Sequence, residues 1–264
     1  MNILDIHQHL SLQPTYGLLE LEKDYDLRIR EMDKHGIEKA VISAIEVFNR
    51  PRGLEDTKRI NDLIAEYVVK YGDRFPIGLG TIDPLYGEKG LDEIDRAIME
   101  LKFKGFCWSP RLLGAFTDHP MMIEFVRKLA QHDQPALIHV YSESMQEEPW
   151  RLQRLAEACP DAHIVAVAAL WYWSRIEQIM DIMKRCPNIG IDTCVAPVTM
   201  VIERVVNDVG AERLYFGSDI YPGLNTPTFH HCHQLVELQQ SPLVSDEEKE
   251  LILFRNAKRL FGLE

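Results

Sequence analysis

Two histidines one residue apart, His7 and His9, stand where a short apolar run, Ile3-Leu4-Asp5-Ile6, comes to an end. The run reads as a first strand over residues 2–6. Side chains alternate along a strand, so residues two apart point the same way and the two imidazoles share a face. A pair of imidazoles at a strand end is half of a metal site. By itself His-x-His is a weak sign, because single histidines are more often surface or core residues than ligands. Two residues elsewhere strengthen it. His139 lies near the end of a fifth strand-like run, Leu137-Ile138-His139-Val140, and Asp219 follows the last one, Leu214-Tyr215-Phe216-Gly217-Ser218. Parity is compatible with convergence, since Leu137, His139 and Tyr141 share one face and Tyr215, Gly217 and Asp219 another. Read singly, His139 could be a buried histidine satisfied by a neighbour and Asp219 a helix cap or turn residue. Four such residues, all at strand ends, are harder to explain that way.

Three imidazoles and a carboxylate suit one divalent metal, Zn2+ first, with Mn2+, Co2+ or Fe2+ compatible with the same donors. Such an ion lowers the pKa of a bound water to about 7 and so makes a nucleophile at neutral pH. Asp219 is the expected catalytic residue: it could hold the metal, accept the water proton, or do both in turn.

The elements that must position these residues are strand-like runs at 2–6, 39–45, 76–82, 104–109, 136–141, 163–169, 189–194 and 213–218. Segments of helical period separate them, at 24–35, 56–71, 91–103, 120–131, 149–158, 174–185 and 199–209. Two more helical segments, 230–239 and 245–261, follow the last strand. In the first helical segment Tyr25, Ile29 and Met32 fall at i, i+4 and i+7, and Gly36 reads as its stop. Eight strands alternating with helices imply parallel βαβ units. A doubly wound open sheet is the rival, but no GxGxxG follows the first strand. With no Pro-, Gly- or Ser-rich linker and no fixed repeat, the 264 residues read as a single α/β domain over 1–264, a (β/α)8 TIM barrel. Such barrels carry their chemistry at the C-terminal ends of the strands.

Composition narrows the partners. A formal net charge of -12 repels phosphate backbones, which argues against nucleic acid. No apolar stretch is long enough to span a membrane, and no basic-then-apolar leader opens the chain. Five cysteines, an odd number without CxxC spacing, argue for a reducing, cytoplasmic setting and against a cysteine-rich zinc site. The expected partner is a small-molecule substrate, with a homodimer as the oligomeric option.

These residues resemble the amidohydrolase superfamily, and within it the amidohydrolase-related group that includes aminocarboxymuconate-semialdehyde decarboxylase. The likeness is carried by Asp5-Ile6-His7-Gln8-His9, Leu137-Ile138-His139, Phe216-Gly217-Ser218-Asp219 and Asn256-Ala257-Lys258-Arg259-Leu260-Phe261-Gly262, with Arg74-Phe75 and Ile82-Asp83-Pro84 between. The resemblance implies a (β/α)8 fold, one divalent metal, and hydrolysis or non-oxidative decarboxylation of a small carboxylated or cyclic substrate.

The chain also departs from the group's pattern. Where the group has a histidine at the end of strand six, this sequence reads Val167-Ala168-Ala169-Leu170-Trp171, with Ala169 at that position. Parity with Val165 and Val167 predicts that Ala169 faces inward. His163 starts the same strand, at the wrong end of the barrel to substitute. Strand four also lacks a lysine near its end, so a metal-bridging carbamylated lysine is not expected and one metal is favoured over two. Arg111, Tyr141, Trp171 and Tyr172 are the expected substrate-binding residues: an arginine fork for a carboxylate and aromatic pocket walls. The His230-His231-Cys232-His233 cluster reads first as a polar helix start. The expectation is a metal-dependent hydrolase working through a metal-activated water. The alternatives are a decarboxylase (lyase), a lactonase, or a catalytically impaired binding relative in which Ala169 marks the loss.

Overall fold

The computed structural model describes residues 1–10, 21–44, 52–141, 144–171, 173–196, 199–220 and 232–263. Eight parallel strands follow one another: β1 (Leu4–Leu10), β2 (Lys39–Ala44), β3 (Ile77–Gly78), β4 (Phe106–Trp108), β5 (Ala136–His139), β6 (Ile164–Val167), β7 (Ile189–Asp192) and β8 (Leu214–Tyr215). They pair in sequence order as β1-β2-β3 and β4-β5-β6-β7-β8. Backbone hydrogen bonds join the two sheets at both seams. Gly80 N donates to Gly105 O (3.0 Å) and Cys107 N to Gly80 O (3.0 Å) on one side; Ile6 N donates to Phe216 O (3.0 Å) and Asp219 N to His7 O (2.8 Å) on the other. The strands thus form the (β/α)8 barrel expected from the alternation.

Helices α1 (Leu21–His35), α2 (Leu54–Tyr71), α3 (Glu88–Met99), α4 (Pro110–Leu113), α5 (Pro120–Gln131), α6 (Pro149–Ala158), α7 (Trp173–Arg185) and α8 (Thr199–Val209) lie between the strands. The stop at Gly36 is as expected. Its φ is 69°, a conformation glycine adopts freely, and Ile37 N closes onto Met32 O at 2.9 Å. After β8 come α9 (His233–Gln240), α10 (Asp246–Glu250), a π-helical turn (Leu251–Arg255) and α11 (Asn256–Leu260). A wider turn releases carbonyls from the helical ladder, and one of them, Ile252 O, accepts from Phe216 N at 2.9 Å. Asn256 Nδ2 donates to Ala211 O (2.7 Å) and Leu214 O (2.8 Å). These bonds fasten the C-terminal helix to the start of β8.

Two apolar clusters make the core. One joins Leu4, Ile6, Val41, Leu137, Val165 and Tyr215 from the strands with Ala257 and Phe261 of the C-terminal segment. This is the barrel interior, plugged at the end away from the strand C-termini. The other, larger cluster takes Ile3, Leu10, Ile42, Ile138 and Ile191 from the opposite faces and packs them against the helices.

β1 departs from expectation in an instructive way. It continues to Leu10, so the histidines lie inside the strand and not just past it. Leu4 and Ile6 face the interior, and simple alternation would then send His7 and His9 outward. A bulge between Asp5 and Gln8 shifts the register on β2. A bulge adds one residue to one strand and re-aims the side chains after it. Here it turns His7 and His9 inward. The ends of β6 also differ: Ala168 has φ 57°, alternation stops at Val167, and Ala169 packs in the layer between barrel and helices. The inward orientation expected for Ala169 is therefore not adopted.

Candidate metal centre

Three imidazoles meet at the C-terminal end of the barrel. The His7 and His9 rings are 4.7 Å apart between centroids, and His139 lies 5.0 Å from the first and 5.5 Å from the second. All three side chains are buried. His7 Nε2 and His9 Nε2 face each other at 2.7 Å. Asp219 Oδ1 stands 3.7 Å from His7 Nε2 and 3.6 Å from His9 Nε2. Donors sharing a tetrahedral ion at about 2.1 Å would be about 3.4 Å apart, so the spacing is that of one coordination sphere. The four residues named from the sequence come from β1, β5 and the turn after β8, and the fold brings them together.

The surroundings orient the imidazoles. His7 Nδ1 bonds Asp192 Oδ2 at 2.7 Å, and His9 Nδ1 contacts Ser43 Oγ (2.8 Å) and Ala44 O (3.1 Å). A carboxylate and a carbonyl only accept, so each ring places its proton on Nδ1 and aims the Nε2 lone pair inward. Two lone pairs at that separation require a proton or a cation between them. Among the described residues His139 has no hydrogen-bond partner at either ring nitrogen, although an unmet buried polar group costs about 1–3 kcal/mol. The donor set fits a divalent ion held by His7, His9, His139 and Asp219.

Electrostatics agree. Burial pushes the His139 imidazole well below its ordinary pKa, and the charges of His7, Arg111 and His9 push the same way. Burial does the same to His9, again with His7 adding to it. Burial alone would also lower His7, but the Asp192 hydrogen bond and the charges of Asp219, Asp192 and Asp5 outweigh it and raise its pKa. Two rings are thus held neutral, as ligation requires, and the third is the one that carries a proton when no cation is bound.

The family model described as "Amidohydrolase" matches residues 4–263. The chain belongs to the amidohydrolase family. A 2-amino-3-carboxymuconate-6-semialdehyde decarboxylase of Dictyostelium discoideum is 26% identical over 147 residues, 52% of this amidohydrolase and 41% of that protein. The chain therefore aligns with about two fifths of that relative's length. Among solved structures, a 2,6-dihydroxybenzoate decarboxylase from Rhizobium shares the fold with TM-score 0.75 at 19% identity, covering 100% of this chain and 99% of that one. A 5-carboxyvanillate decarboxylase from Novosphingobium aromaticivorans, in complex with manganese and 4-hydroxy-3-methoxy-5-nitrobenzoic acid, gives TM-score 0.76 at 21% identity, covering 99% and 96%. At these identities the likeness is one of fold.

Three residues of this amidohydrolase's site escaped sequence reasoning. Asp192 ends β7 and is fully buried. Its signal was present: Ile189 and Ile191 alternate outward, which sends Gly190 and Asp192 inward at a strand end. Cys194 follows, buried, hydrogen-bonded to Asp219, and its thiol pKa is driven well up by burial and by Asp219 and Asp192. Asp5 accepts from His7 N (3.0 Å), Gln8 Nε2 (2.7 Å), Ser218 N (3.0 Å) and Ser218 Oγ, tying β1 to the turn that carries Asp219. Non-glycine residues with positive φ stand at the ends of β6, β7 and β8, at Ala168 (57°), Val195 (52°) and Asp219 (59°). Backbone strain gathers at functional sites.

The expected substrate-binding residues are placed as follows. Arg111 opens α4 after β4, is partly buried, and pairs with Glu147; Tyr141 lies just beyond β5, partly buried under it. Trp171 is partly buried after β6. Tyr172, His230 and His231 fall outside the described residues. His233 starts α9 and donates to Ala196 O at 3.2 Å, consistent with a polar helix start. His163 stands at the far end, paired with Asp133. All five cysteines are buried and none is in a disulfide. Among the described residues no helix is long and apolar enough to cross a membrane.

Proposed function

We propose that this amidohydrolase is a metal-dependent, non-oxidative decarboxylase of a small aromatic or conjugated carboxylic acid. The convergence of His7, His9, His139 and Asp219 carries the reading, because it supplies one ion site and one carboxylate beside it. Decarboxylation is favoured over the hydrolysis expected from the sequence because the relatives above are named decarboxylases.

A divalent ion at this site would draw electron density from a substrate oxygen as a Lewis acid. The donor set suits zinc, while manganese accompanies the structural relative. The chain's own part is proton delivery and orientation. In the reaction the bond from the ring or vinylic carbon to the carboxylate breaks, its electron pair stays on that carbon, and one proton replaces carbon dioxide. Asp219 is the group placed to carry that proton. Asp192, Ser43 and the Ala44 carbonyl hold the His7 and His9 rings in the binding tautomer.

The test is carbon dioxide release by Mn2+- and Zn2+-loaded protein from 2,6-dihydroxybenzoate, 5-carboxyvanillate and muconate-type acids. Release that Asp219→Asn abolishes is the expected result. Turnover of lactones or amides by the loaded enzyme, with no carbon dioxide from any acid, would instead restore hydrolysis.

A further inference from the structure

Glu147 is a fully buried carboxylate that no step above uses. It sits in a short 3-10 turn after β5, Met145–Glu147. Its Oε1 accepts from Arg111 N at 3.0 Å, and its Oε2 from Arg111 Nη1 at 2.6 Å and from Tyr141 N at 3.0 Å. One carboxylate therefore fixes the backbone after β4, the backbone after β5 and the arginine between them. The Arg111 guanidinium lies over the Tyr141 ring at 4.7 Å from its centroid.

A charge pair sealed in the core costs desolvation on both partners. Here the carboxylate is sealed and the arginine side chain keeps 31% of its surface exposed. Only Nη1 of its guanidinium is engaged within the described residues. Nε and Nη2, without a partner among the described residues, form an edge suited to a second, bidentate carboxylate. The arginine is also on the right side of the barrel. It follows β4, and Tyr141 lies two residues beyond His139, which ends β5.

We propose that Arg111, stacked on Tyr141 and positioned by Glu147, is the seat for the carboxylate of a planar organic acid bound beside the metal centre. The proposal rests on the decarboxylase reading for the identity of the acid, and on the clamp geometry for the seat. Arg111 is the binding residue, and Glu147 is a positioning residue that acts through it.

Calorimetry with Mn2+-loaded protein tests this, using 2,6-dihydroxybenzoate, benzoate and cis,cis-muconate as probes and resorcinol as the uncharged control. Arg111→Met is expected to weaken the acids on the order of 30-fold, the scale of a charge-assisted pair, and to leave resorcinol within about twofold. Glu147→Gln is expected to weaken the acids about 5-fold and to raise KM more than it lowers kcat. Arg111→Lys keeps a cation for Glu147 and so guards against misfolding; it is expected to bind the acids about 10-fold more weakly. The proposal is overturned if Arg111→Met and Arg111→Lys leave acid affinity within twofold, if acids and resorcinol weaken equally, or if the wild type binds none of the acids below about 10 mM. Arg111-dependent binding without carbon dioxide release would leave the seat standing and remove the decarboxylase reading. Carbon dioxide release that is indifferent to Arg111 would do the reverse.

Discussion

His7 does two jobs at once, and Asp192 allows both. With Nδ1 committed to Asp192 at 2.7 Å, the ring turns Nε2 to the centre and cannot rotate away. Removing the acceptor should free the ring without removing a ligand. Asp192→Ala is expected to weaken metal binding about 10- to 100-fold, measured by competition with a chromophoric chelator. His139→Gln should lose more, since it removes a donor outright. Proton binding gives a second check at this scale. In the folded chain His9 and His139 have pKa values well below 6.5, while His7 lies above it. Unfolded, all three titrate near 6.5. A lowered folded pKa contributes stability that is present above 6.5 and lost as pH falls through it; the raised His7 contributes the opposite, and two outweigh one. The metal-free protein should therefore lose thermal stability between pH 7.5 and 5.5, and His139→Gln should lose less over the same interval. Equal losses in the two proteins would show that His139 accepts a proton in the folded state.

At the scale of elements, the site depends on three strands approaching more closely than side chains usually permit. Gly217 makes that approach possible. A Cβ there would stand 2.6 Å from Asp192 Oδ2 and 2.9 Å from His7 Cβ, both tighter than any ordinary contact. Gly217→Ala is expected to cost about 1–3 kcal/mol, as overpacking does, and to weaken metal binding at least about tenfold by displacing the His7–Asp192 pair. Unfolding in urea and the same chelator assay report the two effects separately. The β1 bulge belongs to this scale as well. His-x-His spacing was readable from the chain, and the shared face followed from period two. That the face is the inner one was not readable, because Leu4 and Ile6 already point inward and only an extra residue in the strand reconciles them with His7 and His9. The same limit explains Ala169, where a left-handed Ala168 ends an alternation that the residue types alone continue.

Across the whole molecule the barrel separates stability from chemistry. The strand C-termini carry the four candidate ligand residues, and the opposite end is closed by the C-terminal helix through Asn256, Ala257 and Phe261. Phe261→Ala is expected to destabilise the fold by about 3 kcal/mol while leaving metal stoichiometry unchanged, as read by thermal melting and elemental analysis of the folded protein. Loss of the metal together with the helix packing would show that the two ends are coupled. The sequence by itself determined the alternating parallel architecture and marked His7, His9, His139 and Asp219 as the candidate donors, because hydrophobic period and donor type are local properties of the chain. Only the tertiary structure decided that Asp192 and Cys194 join them, that the bulge turns the histidines inward, and that Glu147 holds Arg111 against Tyr141. The His7–Asp192 pair links residues 185 positions apart, and it comes into being only when β1 meets β8 and the barrel closes.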